Sequence, residues 1–332
     1  MSACSNQHAV YLDVGTTNTR VWLACGDDIV VHTRKPVGVR IAAREGSTES
    51  IANALRDLIA EVVSQAGQAH HPDCIAAAGM ISSGLGVKEI PHVQAPAGLA
   101  EIVAASQWNH FPGISDLPFL LVPGIRTVDR NGATEDVMRG EETLCLGLIG
   151  CDLLSLPAMV LNLGSHWKAI ELDSAGRICS SITSLSGELI DAVRTQTVLA
   201  SSLPQQFPEE LAWNWAESAM TECRLTGLPR TLFRARLLEL DKEGTAEERL
   251  AFVVGAFIAS DLEALMARGM LENKPVFLNG QRAIADCWQR ALEQKLIAAS
   301  VLTAHDTERG FVKGLQQVVK ALRTERFKAV LA

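Results

Sequence analysis

The sequence predicts an α/β fold of two units, each a mixed sheet flanked by helices, and three observations predict it. The chain has 332 residues, 48% of them hydrophobic, which is enough for two separate cores. An apolar strand, a small-residue turn and a second apolar strand open both halves, as VYLDVGTTNTRVWLA at 10–24 and AMVLNLGSHWKAIEL at 158–172. Helical and strand patterns then alternate behind each hairpin, which is the order of an α/β protein. A boundary is expected at CDLLSLP (151–157), giving domains 1–155 and 156–332.

In the first unit the hairpin gains a third strand at 27–33. A helix is expected over 48–66, where Ile51, Leu55, Leu58, Ile59 and Val62 share one face. DCIAAAGMISS (73–83) reads as a buried strand entering a small-residue loop. Residues 86–118, with Pro, Gly and isolated apolar residues, are expected to wrap the surface. FLLVPGIRTVD (119–129) is a strand and turn, and GEETLCLGLIG (140–150) is a helix opened by glycine. In the second unit RICSSITSLSG (177–187) adds a strand and a helix starts at 186. Residues 209–271 are largely helical, with a long helix over 247–270. PVFLNGQ (275–281) is a strand ending in a glycine turn, and a helix follows over 282–295. The last segment leads into a terminal helix expected to pack back on the first unit, with Asp306 as its N-cap.

Lys and Arg total 30 against 38 Asp and Glu, a formal charge of -8. That balance offers no general attraction for nucleic acid or an anionic membrane, while a local basic pocket can still hold a small anion. Eight cysteines without a CxxC pair read as reduced thiols. The opening MSACSNQHAV has neither a basic start nor an apolar run, and AFVVGAFIAS (251–260) is too short to span a bilayer. Cytoplasm is the expected compartment, and a monomer or a homodimer fits equally.

Asp13 ends an apolar strand and is followed by Gly15, Thr16, Thr17 and Asn18. Small residues let a tight turn bring N–H groups to phosphate oxygens, while the carboxylate holds Mg2+ directly or through water. The same string also fits a capped hairpin turn. No GxxxxGKS or GxxxxGKT occurs, so a Walker loop is excluded. Gly164 and Ser165 occupy the second turn, and two such turns can embrace a triphosphate; Lys168 faces either that ligand or solvent. Asp136, Glu141 and Glu142 are the candidates for the carboxylate that accepts a proton from an acceptor hydroxyl, though acids also suit a helix's first turn. Arg20, Arg126 and Arg139 offer forks for a carboxylate or serve as ion-pair partners. Ser82, Ser83 and Gly84 offer a polar surface for hydroxyls, and Asn279 with Gly280 lets the chain pass close to a nucleoside; a plain turn accounts for each as well.

Taken in order, DVGTTNTRVW (13–22), AAGMISSGLG (77–86), VPGI (122–125), DVMRGEET (136–143), LNLGSHWK (161–168) and HDTERGFVKGL (305–315) resemble the 2-dehydro-3-deoxygalactonokinase family. Its superfamily is that of the actin-like ATPases, with a ribonuclease H-like fold in each domain and an interdomain cleft. The resemblance implies ATP-dependent phosphorylation of the sugar acid 2-dehydro-3-deoxy-D-galactonate to its 6-phosphate, with Mg2+. It further implies Asp13 as the metal carboxylate, Gly15–Asn18 as the first phosphate loop and Gly164–Ser165 as the second. GEET is similar to a helix start of exopolyphosphatases, which favours Glu141 or Glu142 over Asp136. The second turn departs from the family's PGTHxKW and the LNGQ turn from its AGTS. A kinase for the gluconate epimer, a phosphohydrolase and a non-catalytic ATP-binding regulator are the competing readings.

Overall fold

The computed structural model describes residues 8–331; Cys4 and the rest of the opening segment lie outside them. Two compact units form. One runs through Leu153 and takes in Gly176–Cys179 and the chain from His305 onward, and the other comprises Leu154–Ala175 and Ser180–Ala304. Each unit is built on a mixed sheet flanked by helices, an α/β architecture.

The first unit is built on a six-stranded sheet in the order β3-β2-β1-β4-β7-β6. Its strands are β1 His8–Val14, β2 Thr19–Cys25, β3 Asp28–Lys35, β4 Cys74–Gly79, β6 Gln107–Phe111 and β7 Ser115–Leu121. β1 pairs antiparallel with β2 and parallel with β4. A small second sheet, β5 Val93–Gln94, β8 Ile125–Val128 and β9 Thr134–Met138, has β8 in its middle. The helices are α1 Val39–Glu45, α2 Glu49–Ala66, α3 Leu99–Ala105 and α4 Glu141–Gly150, with α10 Ala304–Leu331 from the far end of the chain. α2 buries Ile51, Leu55, Leu58, Ile59 and Val62 against Val10, Leu12, Leu23, Ile75 and Phe119. Each such side chain contributes roughly 1.5–3 kcal/mol by leaving water. α10 adds its own contacts: Phe311 stacks at 5.8 Å on Trp22, and the Trp22 indole N–H donates to Glu308.

The second unit repeats the plan, with a five-stranded sheet ordered β12-β11-β10-β13-β14. Its strands are β10 Ala158–Leu163, β11 Trp167–Leu172, β12 Ile178–Ser184, β13 Val276–Gly280 and β14 Ala299–Val301. β10 again pairs antiparallel with its hairpin partner and parallel with the next inner strand. The helices are α5 Ser186–Gln196, α6 Trp213–Thr226, α7 Leu228–Leu240, α8 Ala246–Ala267 and α9 Arg282–Glu293. Trp167 and Trp288 meet edge to face at 5.7 Å in the core.

Three expectations need correction. Residues 86–118 do not merely wrap the surface: β6 and β7 complete the main sheet, because Phe111, Leu117 and Phe119 give them apolar contacts at its edge. AFVVGAFIAS belongs to a 22-residue helix, α8, which is long and apolar enough to cross a membrane; here Leu250, Phe252, Val253, Val254, Phe257 and Ile258 are buried in the unit's own core. Asp306 lies in the first turn of α10, two residues inside its start, so it is not the N-cap. Among the described residues no disulfide forms.

Candidate active site

Asp13 stands opposite Arg20 across the first hairpin, and the Arg20 guanidinium donates to its carboxylate at 2.9 Å. The Asp13 side chain is 17% exposed. Burial holds its carboxyl above the usual range, Arg20 opposes this, and Glu141 adds to the rise. Glu141 follows Gly140, whose backbone comes up against that of Gly79 beside Asp13. The path between the two acids runs through two glycines with left-handed φ. A Cβ at Gly79 would lie 2.6 Å from the Val14 carbonyl oxygen and 3.4 Å from the Asp13 carboxylate, and one at Gly140 would lie 3.4 Å from the Gly79 Cα. Only glycine permits this approach and this φ together.

The two adjacent glutamates differ. Glu141 is half-buried and accepts from the Arg139 N–H at 3.2 Å. Glu142 is wholly buried; its two oxygens accept from the Gly140 N–H at 2.9 and 2.8 Å and one accepts from the Thr143 hydroxyl at 3.1 Å. Burial first, and then Glu141, push the Glu142 carboxyl up to about 7. Asp136, the third candidate, sits on β9 opposite Thr127 and is not among the groups that shift Asp13 or Glu142.

The Gly15–Asn18 turn closes through the Gly15 N–H to the Asn18 carbonyl at 2.8 Å, and the Asn18 amide donates to the Thr17 hydroxyl at 2.9 Å. Its carbonyls face α1: Val39 N–H donates to Gly15 at 3.2 Å and Arg40 N–H to Thr16 at 3.0 Å. The first N–H groups of a helix have no partner within it, so the turn supplies one. A Cβ at Gly38 would sit 2.5 Å from the Gly15 carbonyl oxygen.

The second unit repeats this arrangement position by position. Asn162 pairs with Lys168 and Asn279 as Asp13 pairs with Arg20 and Ala78. Gly280 would bring a Cβ 2.4 Å from the Leu163 carbonyl oxygen, matching Gly79, and Gly187 would bring one 2.1 Å from that of Gly164, matching Gly38. The Glu188 N–H at the start of α5 donates to the Ser165 carbonyl at 2.6 Å. Lys168 is only 5% exposed and donates to the Thr183 hydroxyl; the Asn279 amide donates to Asn162 at 2.6 Å. His166, more exposed, meets Glu188 at 3.1 Å. An amide and an ammonium thus stand where the first unit has a carboxylate and a guanidinium.

Of the remaining expected residues, Ser82 is buried, donating to the Gly79 carbonyl at 3.1 Å and accepting from Arg139 at 3.0 Å. Ser83 turns into its own loop, bonding the Met80 carbonyl at 2.7 Å. Gly84 and Arg126 are exposed. The residues that sequence reasoning passed over are Gly38, Gly79, Gly187 and Asn162. Asn162 did carry a signal, since LNLG repeats LDVG; the bracing glycines carried none, being more than twenty residues from the turns they touch.

The family model described as 2-keto-3-deoxy-galactonokinase matches residues 13–318. A protein of Rhizobium meliloti (strain 1021) named "Probable 2-dehydro-3-deoxygalactonokinase" is 26% identical over 320 residues, covering 94% of this chain and 96% of its own. The 2-dehydro-3-deoxygalactonokinase of Escherichia coli (strain K12) is 26% identical over 256 residues, 76% of this chain and 79% of its own. A crystal structure from Sinorhizobium meliloti, described as a 2-dehydro-3-deoxygalactonokinase protein, superposes with a TM-score of 0.75 at 23% identity, covering 95% of this chain and 96% of that one.

Proposed function

The chain belongs to the 2-keto-3-deoxy-galactonokinase family and is a sugar-acid kinase acting on 2-dehydro-3-deoxygalactonate with ATP, and from that premise we propose that it forms the 6-phosphate of the D-galactonate epimer, with Asp13 and Glu141 as its central acids. The carrying observation is the close approach of Gly140, which precedes Glu141, to Gly79, and of Gly79 to the Asp13 carboxylate.

Phosphoryl transfer to an alcohol needs a seat for phosphate oxygens, neutralisation of their charge, and a carboxylate to orient the hydroxyl and take its proton. The glycine turns at 15–18 and 164–165 offer N–H groups for the first need, and braced carbonyls keep those turns rigid. Lys168, held in place by Thr183, places a cation beside the second turn. Asn279 and Gly280, at the end of β13, fit the nucleoside side of the same unit.

Mg2+ binds through one or two carboxylates together with phosphate oxygens and water. Asp13, a part-exposed carboxylate beside the first turn, fits that donor set; among the described residues no three His, Cys, Asp or Glu side chains gather into an all-protein cage. The ion when bound supplies charge neutralisation on the transferred group. Arg20 holds the Asp13 carboxylate in its orientation. Glu141, less buried than Glu142, is the acid that orients the acceptor hydroxyl and receives its proton. Glu142 is occupied in fixing the Gly140 N–H and thereby the start of α4. Ser82, Ser83, Gly84, Arg126 and Arg139 serve the sugar acid.

The test is ADP release from ATP and Mg2+ with 2-dehydro-3-deoxy-D-galactonate, with its gluconate epimer, and with no acceptor. Release is expected to depend on the galactonate form, and Asp13→Asn and Glu141→Gln each to lower kcat by about 10²–10⁴-fold without loss of fold by circular dichroism. Equal release without either acid overturns the kinase reading in favour of a hydrolase, and preference for the epimer overturns the assigned configuration.

A further inference from the structure

The small sheet of the first unit carries a constellation apart from the turns and acids above. Val93, Ile125 and Met138 form one register row across β5, β8 and β9, so His92, Gly124 and Arg139 form the row just outside it. Gln94, Arg126 and Val137 make the row on the other side. Two residues apart along each strand, these rows share one face. The middle position of the outer row is glycine for a steric reason: a Cβ there would lie 2.6 Å from the Arg139 Cγ and 3.0 Å from the His92 Cδ2. The Met138 carbonyl oxygen of the neighbouring strand would be closer still, at 2.1 Å, so Gly124 lets that backbone approach and leaves room for the Arg139 and His92 side chains beside it.

Arg139 is fixed in that position. One terminal nitrogen donates to Ser82 at 3.0 Å; the other donates to the Ile90 carbonyl at 2.8 Å and faces the His92 Nδ1 at 3.4 Å. Arg126, exposed, donates to the Gln94 side chain at 3.3 Å. Burial, then Arg139 and Arg126, hold the His92 imidazole below its usual range, with Glu89 the acid that opposes them. Two permanent cations and a neutral ring therefore share one small face of a chain whose formal charge is -8. Guanidiniums offer a planar, multidentate match for a carboxylate.

We propose that this face seats the carboxylate of the acceptor, with Arg126 as the engaging charge, Arg139 as a second donor held ready, and His92 and Gln94 as the residues that select an acid end over a neutral one. The proposal rests on the sugar-acid kinase reading and deepens it. Arg139 stands two residues before Glu141 in the same segment, so one short stretch of chain serves both ends of the acceptor.

Calorimetric titration of the full-length protein with 2-dehydro-3-deoxy-D-galactonate, and separately with its methyl ester, tests the seat without turnover. Arg126→Gln and His92→Gln are expected to raise the Kd for the acid, by about tenfold or more for the arginine, while the Kd for ATP stays within about twofold. The ester is expected to bind weakly and equally to all three proteins. Unchanged affinity for the acid in both variants, ester binding as tight as acid binding, or no acid binding by the parent protein overturns the seat. Acid binding that is lost on Arg126→Gln in a protein that transfers no phosphoryl group sustains the seat and sinks the kinase reading instead. Equal melting temperatures of the three proteins exclude unfolding as the cause, and Arg126, being exposed, tolerates the exchange.

Discussion

Glu141 and Glu142 are adjacent acids given different work by burial. Glu141 keeps partial access and acts on Asp13; Glu142 is wholly enclosed and bonds the backbone at the start of its own helix. The folded state holds the Glu142 proton up to about 7, against an ordinary value of 4.5. Between those values the folded protein binds more protons than the unfolded one, so this group's contribution to stability falls as pH rises from about 4.5 through 7 and is constant above. The loss is of order 3 kcal/mol across that window. Glu142→Gln, which cannot titrate, is expected to flatten the fall in melting temperature between pH 5 and 7.5. Asp13 and Asp261, whose carboxyls are also raised by burial, keep their slope in both proteins, so the difference between the two curves is the readout. Superimposable slopes would refute the assignment to Glu142.

At the scale of elements, each unit braces its glycine turn with the first N–H groups of the helix behind it, and each does so across a glycine that no larger residue replaces. A methyl group at Gly38 would enter within 2.5 Å of the Gly15 and Thr16 carbonyl oxygens, and at Gly187 within 2.1 Å of that of Gly164. Neither backbone can yield without tilting the turn. Gly38→Ala and Gly187→Ala are therefore expected to raise the KM for ATP by about tenfold, roughly 1.4 kcal/mol, with much less change in the KM for the sugar acid. Steady-state kinetics with each substrate varied separately checks this; an effect confined to the sugar acid would mean that the turns do not hold the nucleotide.

At the scale of the whole molecule, the chain leaves its first unit at Leu153, touches it again at Gly176–Cys179 and returns to it for good at His305, so that unit is complete only when α10 is in place. The return is locked by glycines on both helices: a Cβ at Gly147 of α4 would lie 1.6 Å from the Gly310 carbonyl oxygen, and one at Gly314 of α10 would lie 2.0 Å from that of Thr143. Such helices touch backbone to backbone, and an added methyl forces them apart. Gly147→Ala is expected to lower the unfolding free energy by about 1–3 kcal/mol, measured by denaturant titration, and to reduce turnover by displacing the α4 start that carries Glu141. Unaltered stability would show that the crossing adjusts freely.

The sequence by itself determined the fold class, the two hairpins and the family, because strand-turn-strand patterns, the Gly-Thr turn and the GEET helix start are local signals readable in a few residues. LDVG and LNLG even announced the repeat. The tertiary structure decided what depends on distant segments meeting: that β6 and β7 join the main sheet, that Gly38 and Gly187 brace turns more than twenty residues away, and that burial separates Glu142 from Glu141. Local periodicity reports which face of an element is apolar; desolvation, steric exclusion and the approach of one charge to another are properties of neighbours in space.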